Sequence, residues 1–191
     1  MAGAEPACTR RELMVACAAR EIRDGDVVFV GMRLPLLAFA LAVSTHAPEA
    51  VGVFENGVMR DTPPRGPVVT MSDPPNLDGA LWAGALSRAM GLLAGGHVDV
   101  GFIGGAQIDR HACESVTLIT TRAVLRAAET GGSFELVSVH PGEDAAVVVD
   151  DTPWGWPDPP VRAPAVTLPP SAEVLQTLRA LDPDRVWTGD G

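Results

Sequence analysis

Residues 51–61, VGVFENGVMRD, set a carboxylate, Glu55, directly after an apolar run and directly before Asn56-Gly57, a dipeptide that turns chains readily. Desolvated and held against a target, a carboxylate is a nucleophile or a general base; left in water it is only a polar group in a turn. Both readings of Glu55 are open on these residues alone. Two glycine-bearing stretches offer main-chain donors: Gly31, after VVFV, and Gly104-Gly105-Ala106, after VDVGFI. Glycine lets a ligand approach the backbone, and strand-end N–H groups can stabilise a developing oxyanion; tight turning explains the same glycines equally well.

These groups act together only if the elements before them run to one edge of a sheet. Thr9-x-x-Glu12 has capping-box spacing and predicts a helix over 10–22, ended by Asp24-Gly25-Asp26. VVFVG at 27–31 reads as a strand buried on both faces, 34–46 as a helix with Pro35 in its first turn, and VGVF at 51–54 as a second strand. The resulting β-α-β unit delivers Glu55 at the C-terminal end of a strand, where open α/β sheets bind ligands. A short strand at 67–71, a buried helix at 79–96, a strand at 98–103, two further strands in SVTLIT and FELVSVHPG, and a helix at 171–181 capped by Ser171 complete the expectation. The fold class is α/β, a layered αβα arrangement around an open, mostly parallel sheet. Residues 1–150 form the α/β domain; 151–191, with the proline-dense TPWGWPDPPVRAPAVTLPP, form an arm and helix that pack on that domain or on a partner.

Fourteen basic against 24 acidic side chains give a net charge of −10 over 191 residues, which argues against a nucleic-acid or anionic-membrane partner. No apolar run approaches the about 20 residues of a membrane span. Three cysteines, Cys8, Cys17 and Cys113, lack C-x-x-C spacing and suit a reducing cytoplasm. His46 and His140 read as turn or packing residues. His111 and Cys113 could pair, but no third member or metal-ligand set accompanies them, and no metal site is expected.

Taken in order, ELMVACAAREIRDGDVVFVGMRLP (12–35), LAVSTHAPE (41–49), FENG (54–57), SDP (72–74), GGHVDVGFIGGAQIDR (95–110), ELVSVHPG (135–142) and PPSAEVLQTLRALDPDRV (169–186) resemble the β-subunit type of family I CoA-transferases, near the glutaconate branch. The resemblance implies a CoA-transferase-like fold and an α-type partner subunit, with the active site at their junction. It also implies a CoA thioester as substrate beside a small acyl acid, with no permanently bound cofactor. In that family a glutamate at the position of Glu55 attacks the acyl-CoA carbonyl to give an acyl-glutamyl anhydride, and CoA thiolate then converts it to a glutamyl-CoA thioester. Asn56 and Gly57 would support the turn and, with Gly31, Gly104, Gly105 and Ala106, line the substrate crevice.

Two departures stand against that frame. The family's Gly-x-Gly-x-Pro loop is Gly31-Met32-Arg33-Leu34-Pro35 here, so a guanidinium replaces the second glycine and brings a two-pronged donor suited to a substrate carboxylate. After GGAQIDR the chain passes through HACES straight into VTLITT, without the family's Gly-Asn-x-Asn segment and second glycine loop. The resemblance is thus to a β-type subunit, internally shortened. Its alternatives are a hydrolase or lyase using Glu55 as general base, and a non-catalytic subunit that stabilises a partner.

Overall fold

The computed structural model describes residues 8–111, 115–128, 132–154, 156 and 163–189. They pack as two compact units, one of 1–104 with 170–191 and one of 105–169.

In the first unit Thr9 caps α1 (Arg10–Arg20), its hydroxyl accepting from Glu12 N–H while the Glu12 carboxylate accepts from Thr9 N–H. The capping box read from the spacing is formed. β1 (Val27–Val30), α2 (Leu34–Val43) and β2 (Val51–Phe54) follow as the expected β-α-β unit, with β1 parallel to β2. The chain then turns sharply into β3 (Val58–Arg60), antiparallel to β2. A loop containing one short helix, α3 (Pro74–Leu77), leads to β4 (Trp82–Ala83), α4 (Leu86–Ala94) and β5 (Val100–Gly101), which pairs parallel with β1. The sheet order is β4-β3-β2-β1-β5. It is mixed, with parallel pairing confined to β2-β1-β5.

Successive residues of the central strands point to opposite faces, which is why these strands are apolar at every position. Val28, Val30 and Phe54 join α2 and Leu178 in one core; Phe29 and Val53 join Ala89 of α4 in another. Helices therefore cover both faces, the layered αβα arrangement expected. α2 is apolar all round, and every residue from Leu36 to Val43 is buried. Gly52 admits the Phe39 ring: a Cβ at Gly52 would lie 2.7 Å from Phe39 Cζ, and that ring meets Phe54 edge to face at 5.7 Å. The C-terminal helix (Ala172–Leu181) is capped by Ser171 and buries Leu178. Its Arg179 Nε donates to the fully buried Glu12 carboxylate at 2.8 Å.

The second unit is a sheet of β6 (Thr117–Ile119), β7 (Ala123–Ala127), β8 (Phe134–Val139) and β9 (Ala165–Val166), with β9 parallel to β8 and the rest antiparallel, and a short helix at Ala145–Asp150. Trp154 stacks on Phe134, and both Trp154 and Trp156 pack on this unit's own core. Parts of the proline-dense arm lie outside the described residues.

Several sequence expectations are corrected. No strand forms at 67–71; that segment is held as loop by backbone N–H bonds to the Asp73 carboxylate and by the amides of Asn56 and Asn76, which donate to Met71 O. The helix expected over 79–96 is only Leu86–Ala94, because Trp82–Ala83 pairs with β3 instead. It is also not buried: Ala89 faces the sheet while Leu86, Met90 and Leu93 are exposed. The strand over 98–103 is trimmed to Val100–Gly101. A third strand, Ala123–Ala127, stands between the two expected after residue 115.

Candidate active site

The C-terminal ends of three neighbouring parallel strands converge. β1 is followed directly by Gly31, β2 by Glu55, and β5 runs out through Phe102 to Gly104. Glu55 N–H still reaches Val30 O at 3.4 Å, so the ladder extends one residue past β2 before the chain leaves the sheet. A Cβ built on Gly31 would lie 3.5 Å from Glu55 Oε1, 3.0 Å from Phe102 O and 3.6 Å from Pro35 Cγ. The half-buried Glu55 carboxylate thus rests over bare backbone at the sheet edge, and glycine is the residue that leaves that space open. Gly104 lies beside open space, since a Cβ there would meet nothing within 4 Å.

The turn that presents Glu55 is braced at three points. Gly57 N–H donates to Phe54 O at 2.8 Å, closing the turn, with Gly57 at φ +89. A Cβ at Gly57 would stand 2.4 Å from Gly84 O, so both conformation and space demand glycine. Asn56 uses its whole amide: Oδ1 accepts Val58 N–H at 3.2 Å and Nδ2 donates to Met71 O at 3.0 Å and Ser72 Oγ at 3.4 Å. The loop that receives these bonds is in turn tied down by Arg60. Its guanidinium is fully buried and donates to the carbonyls of Thr62 (2.6 Å), Pro63 (2.8 Å), Pro75 (3.3 Å), Asp78 (3.4 Å) and Asn76. Burial pushes the Arg60 pKa down from its usual value. Nothing in the spacing of the sequence marks Arg60 for this part, because its acceptors are main-chain carbonyls scattered over a loop.

Arg33 caps α2 with φ 68 and ψ −120, a backbone conformation suited to glycine. Its guanidinium carbon lies 5.6 Å from the centroid of the Trp187 ring, a cation–π contact. Gly105 and Ala106 open the second unit as exposed backbone.

The other candidates are occupied elsewhere. His46 bridges Thr45 Oγ1 to the carbonyls of Ala19 and Ile22, joining the end of α2 to the end of α1. His140 is buried between Thr167 Oγ1 and Thr120 O. Cys113 lies outside the described residues. Burial pushes the Cys8 thiol up to about 11 and raises Cys17 as well, so neither is a thiolate at neutral pH. Among the described residues no group of three or more His, Cys, Asp or Glu is placed to hold a metal ion, and no helix is long and apolar enough to cross a membrane.

This edge belongs to a known kind of protein. The chain is a member of the coenzyme A transferase family, whose model matches residues 11–146. It is 33% identical over 135 residues to the β-type subunit of the 3-oxoadipate CoA-transferase of Pseudomonas knackmussii, covering 68% of this chain and 51% of that protein. The chain spans about half the length of the curated relatives it matches. Its fold superposes on the crystal structure of glutaconate coenzyme A-transferase from Acidaminococcus fermentans with a TM-score of 0.81 at 17% identity, over 96% of this chain and 98% of that one. It also superposes on the decarboxylase AibA/AibB with a TM-score of 0.77 at 22% identity, over 94% and 97% of the two chains.

Proposed function

We propose that this chain is the β-type subunit of a heteromeric CoA-transferase-like enzyme in which Glu55 is the nucleophile. The observation that carries this reading is the Glu55 carboxylate lying over Gly31 at the joint C-terminal edge of β2, β1 and β5. A carboxylate oxygen attacks the acyl-CoA carbonyl, and collapse of the adduct expels CoA thiolate and leaves an acyl-glutamyl anhydride. The thiolate then attacks the glutamyl carbonyl, forming the glutamyl-CoA thioester and releasing the first acid; a second acid reverses the sequence. Held half-buried by a braced turn, the carboxylate is spared the reorganisation that makes carboxylates poor nucleophiles in water. Backbone N–H groups at Gly31 and Gly104 are proposed as oxyanion donors, and Asn56 and Gly57 as positioning residues for Glu55.

The partner is an α-type subunit. The matched relatives are themselves named as single subunits of CoA-transferases. In support, α4 exposes Leu86, Met90 and Leu93 at i, i+4 and i+7 spacing, with Leu81 and Trp82 exposed just before it. Such a stripe on the outer side of a covering helix is what a protein interface conceals.

A second reading, Glu55 as general base in a hydrolase or lyase, is favoured by the short passage from Arg110 to Ser115, where the resemblance leads one to expect a further glycine loop. The chain is co-expressed with a candidate α-type partner, given acyl-CoA, and its peptides are searched by mass spectrometry for CoA on Glu55, or, where borohydride or hydroxylamine has displaced the CoA, for Glu55 as its alcohol or hydroxamate. An adduct is expected. Turnover that needs Glu55 without any adduct selects the base; full turnover by Glu55→Ala defeats both chemistries and leaves a structural role alone.

A further inference from the structure

Arg33 lies two residues beyond Gly31 in the connection from β1 to α2, and its backbone adopts a conformation that glycine would hold without strain. Non-glycine residues persist in such conformations where their surroundings over-determine them, and they gather at ligand sites. The side chain supplies a second observation. Arg33 is exposed, pairs with no carboxylate among the described residues, and holds its guanidinium carbon over the Trp187 ring, 5.6 Å from the centroid. Trp187 is a fixed platform: its Nε1 donates to Val68 O at 3.2 Å and its backbone N–H to Asp182 Oδ2 at 3.1 Å. A guanidinium held over an aromatic ring and unpaired with a carboxylate retains N–H donors for a two-pronged bond to an oxyanion. Two residues span at most about 7 Å, and a Cβ at Gly31 would lie 3.5 Å from Glu55 Oε1, so the backbone of Arg33 stands a short step of chain from the space beside that carboxylate.

We infer that Arg33 is the specificity-determining residue of this site, binding an oxyanion that the substrate carries away from the carbonyl attacked by Glu55. This rests on the reading of Glu55 as the reactive group. The oxyanion is presented either by a second carboxylate, making the acid a dicarboxylate, or by a phosphate of the CoA moiety.

The test is binding, read as the Trp187 fluorescence contribution, obtained from the difference between the wild-type and Trp187→Phe chains, with the full chain alone and joined to its α-type partner. Two matched pairs of probes are titrated: glutarate against butyrate, and CoA against pantetheine. In at least one pair the member carrying the additional oxyanion binds at least tenfold more tightly, and Arg33→Met abolishes that preference while Arg33→Lys restores part of it. Arg33→Gly fits the backbone and gives the same loss if the methionine variant folds poorly. Preference in the first pair assigns the oxyanion to a second carboxylate, and in the second pair to a CoA phosphate. Absence of preference in both pairs, or its retention in Arg33→Met and Arg33→Gly, overturns the assignment. Glu55→Gln leaves the preference in place, so loss of Arg33 recognition and loss of Glu55 reactivity are separate results.

Discussion

A methyl group at Gly31 probes the site more sharply than removal of Glu55 itself, because it leaves every charged group in place. In Gly31→Ala the new Cβ falls 3.5 Å from Glu55 Oε1 and 3.6 Å from Pro35 Cγ, ordinary contacts, but 3.0 Å from Phe102 O. The last is tight by a few tenths of an ångström, and Phe102 N–H is bonded to Phe29 O at 3.0 Å, so the carbonyl yields only by spreading β1 from β5. Overpacking of this size costs about 1 kcal/mol, leaving the fold intact. Chemistry suffers more. An acyl carbon must come within about 3–3.5 Å of the attacking oxygen, and a displacement of about 1 Å costs on the order of 100-fold, about 2.7 kcal/mol. Urea unfolding should show the small loss of stability, and quenched-flow mass spectrometry of the Glu55 peptide should show adduct formation slowed at least 100-fold. Adduct formation at the wild-type rate in folded Gly31→Ala would refute the approach of substrate over Gly31.

Gly57→Ala forces φ +89 on an L residue and drives a Cβ against Gly84 O, whose own residue donates its N–H to Gly57 O; about 3 kcal/mol of stability and about 6–12 °C of Tm should be lost by calorimetry. Arg60→Met strands the carbonyls of Thr62, Pro63 and Asn76 inside the loop, costing about 3–5 kcal/mol and raising hydrogen exchange at Met71 and Ser72 before the sheet is affected. Burial alone would raise the Glu12 pKa, but hydrogen bonds from Arg179 and Thr9 outweigh it and hold the carboxyl below its usual 4.5. A depressed folded-state pKa means that the stability from this group is whole above about pH 4.5 and is lost as pH falls through the folded value. Glu12→Gln should cost about 1–3 kcal/mol at pH 7 and progressively less as pH falls through the folded-state pKa, read from urea midpoints at pH 7 and at successively lower pH.

How the residues around Glu55 read in one dimension depends on the reach of the forces that place them. The β-α-β unit was legible because its signals are local: a capping box, Pro35 in the first turn of a helix, and apolar runs of strand length. Glu55 at a strand end, with Asn56-Gly57 turning the chain behind it, followed from the same local logic. α4 misled because a small-residue, leucine-rich stretch looks equally apolar whether it fills a core or presents a stripe to a partner. Only its packing, with Ala89 inward and Leu86, Met90 and Leu93 outward, separates the two.

The sequence by itself therefore determined the class of fold, the family to which the chain belongs, and the carboxylate on which its chemistry is proposed to turn, since each is written in short-range pattern. Tertiary structure alone decided what surrounds that carboxylate. Gly31 comes to lie between Glu55 and the Phe102 carbonyl because two parallel pairings bring strands distant in sequence to one edge. Asn56 is braced by a loop that Arg60 assembles through backbone carbonyls, which no residue type announces. Arg33 finds Trp187 across 154 positions of chain, counted from 33 to 187, because α2 and the C-terminal segment share a core. Contacts of that kind depend on closure of the whole unit, and a pattern read over a few residues carries no trace of them.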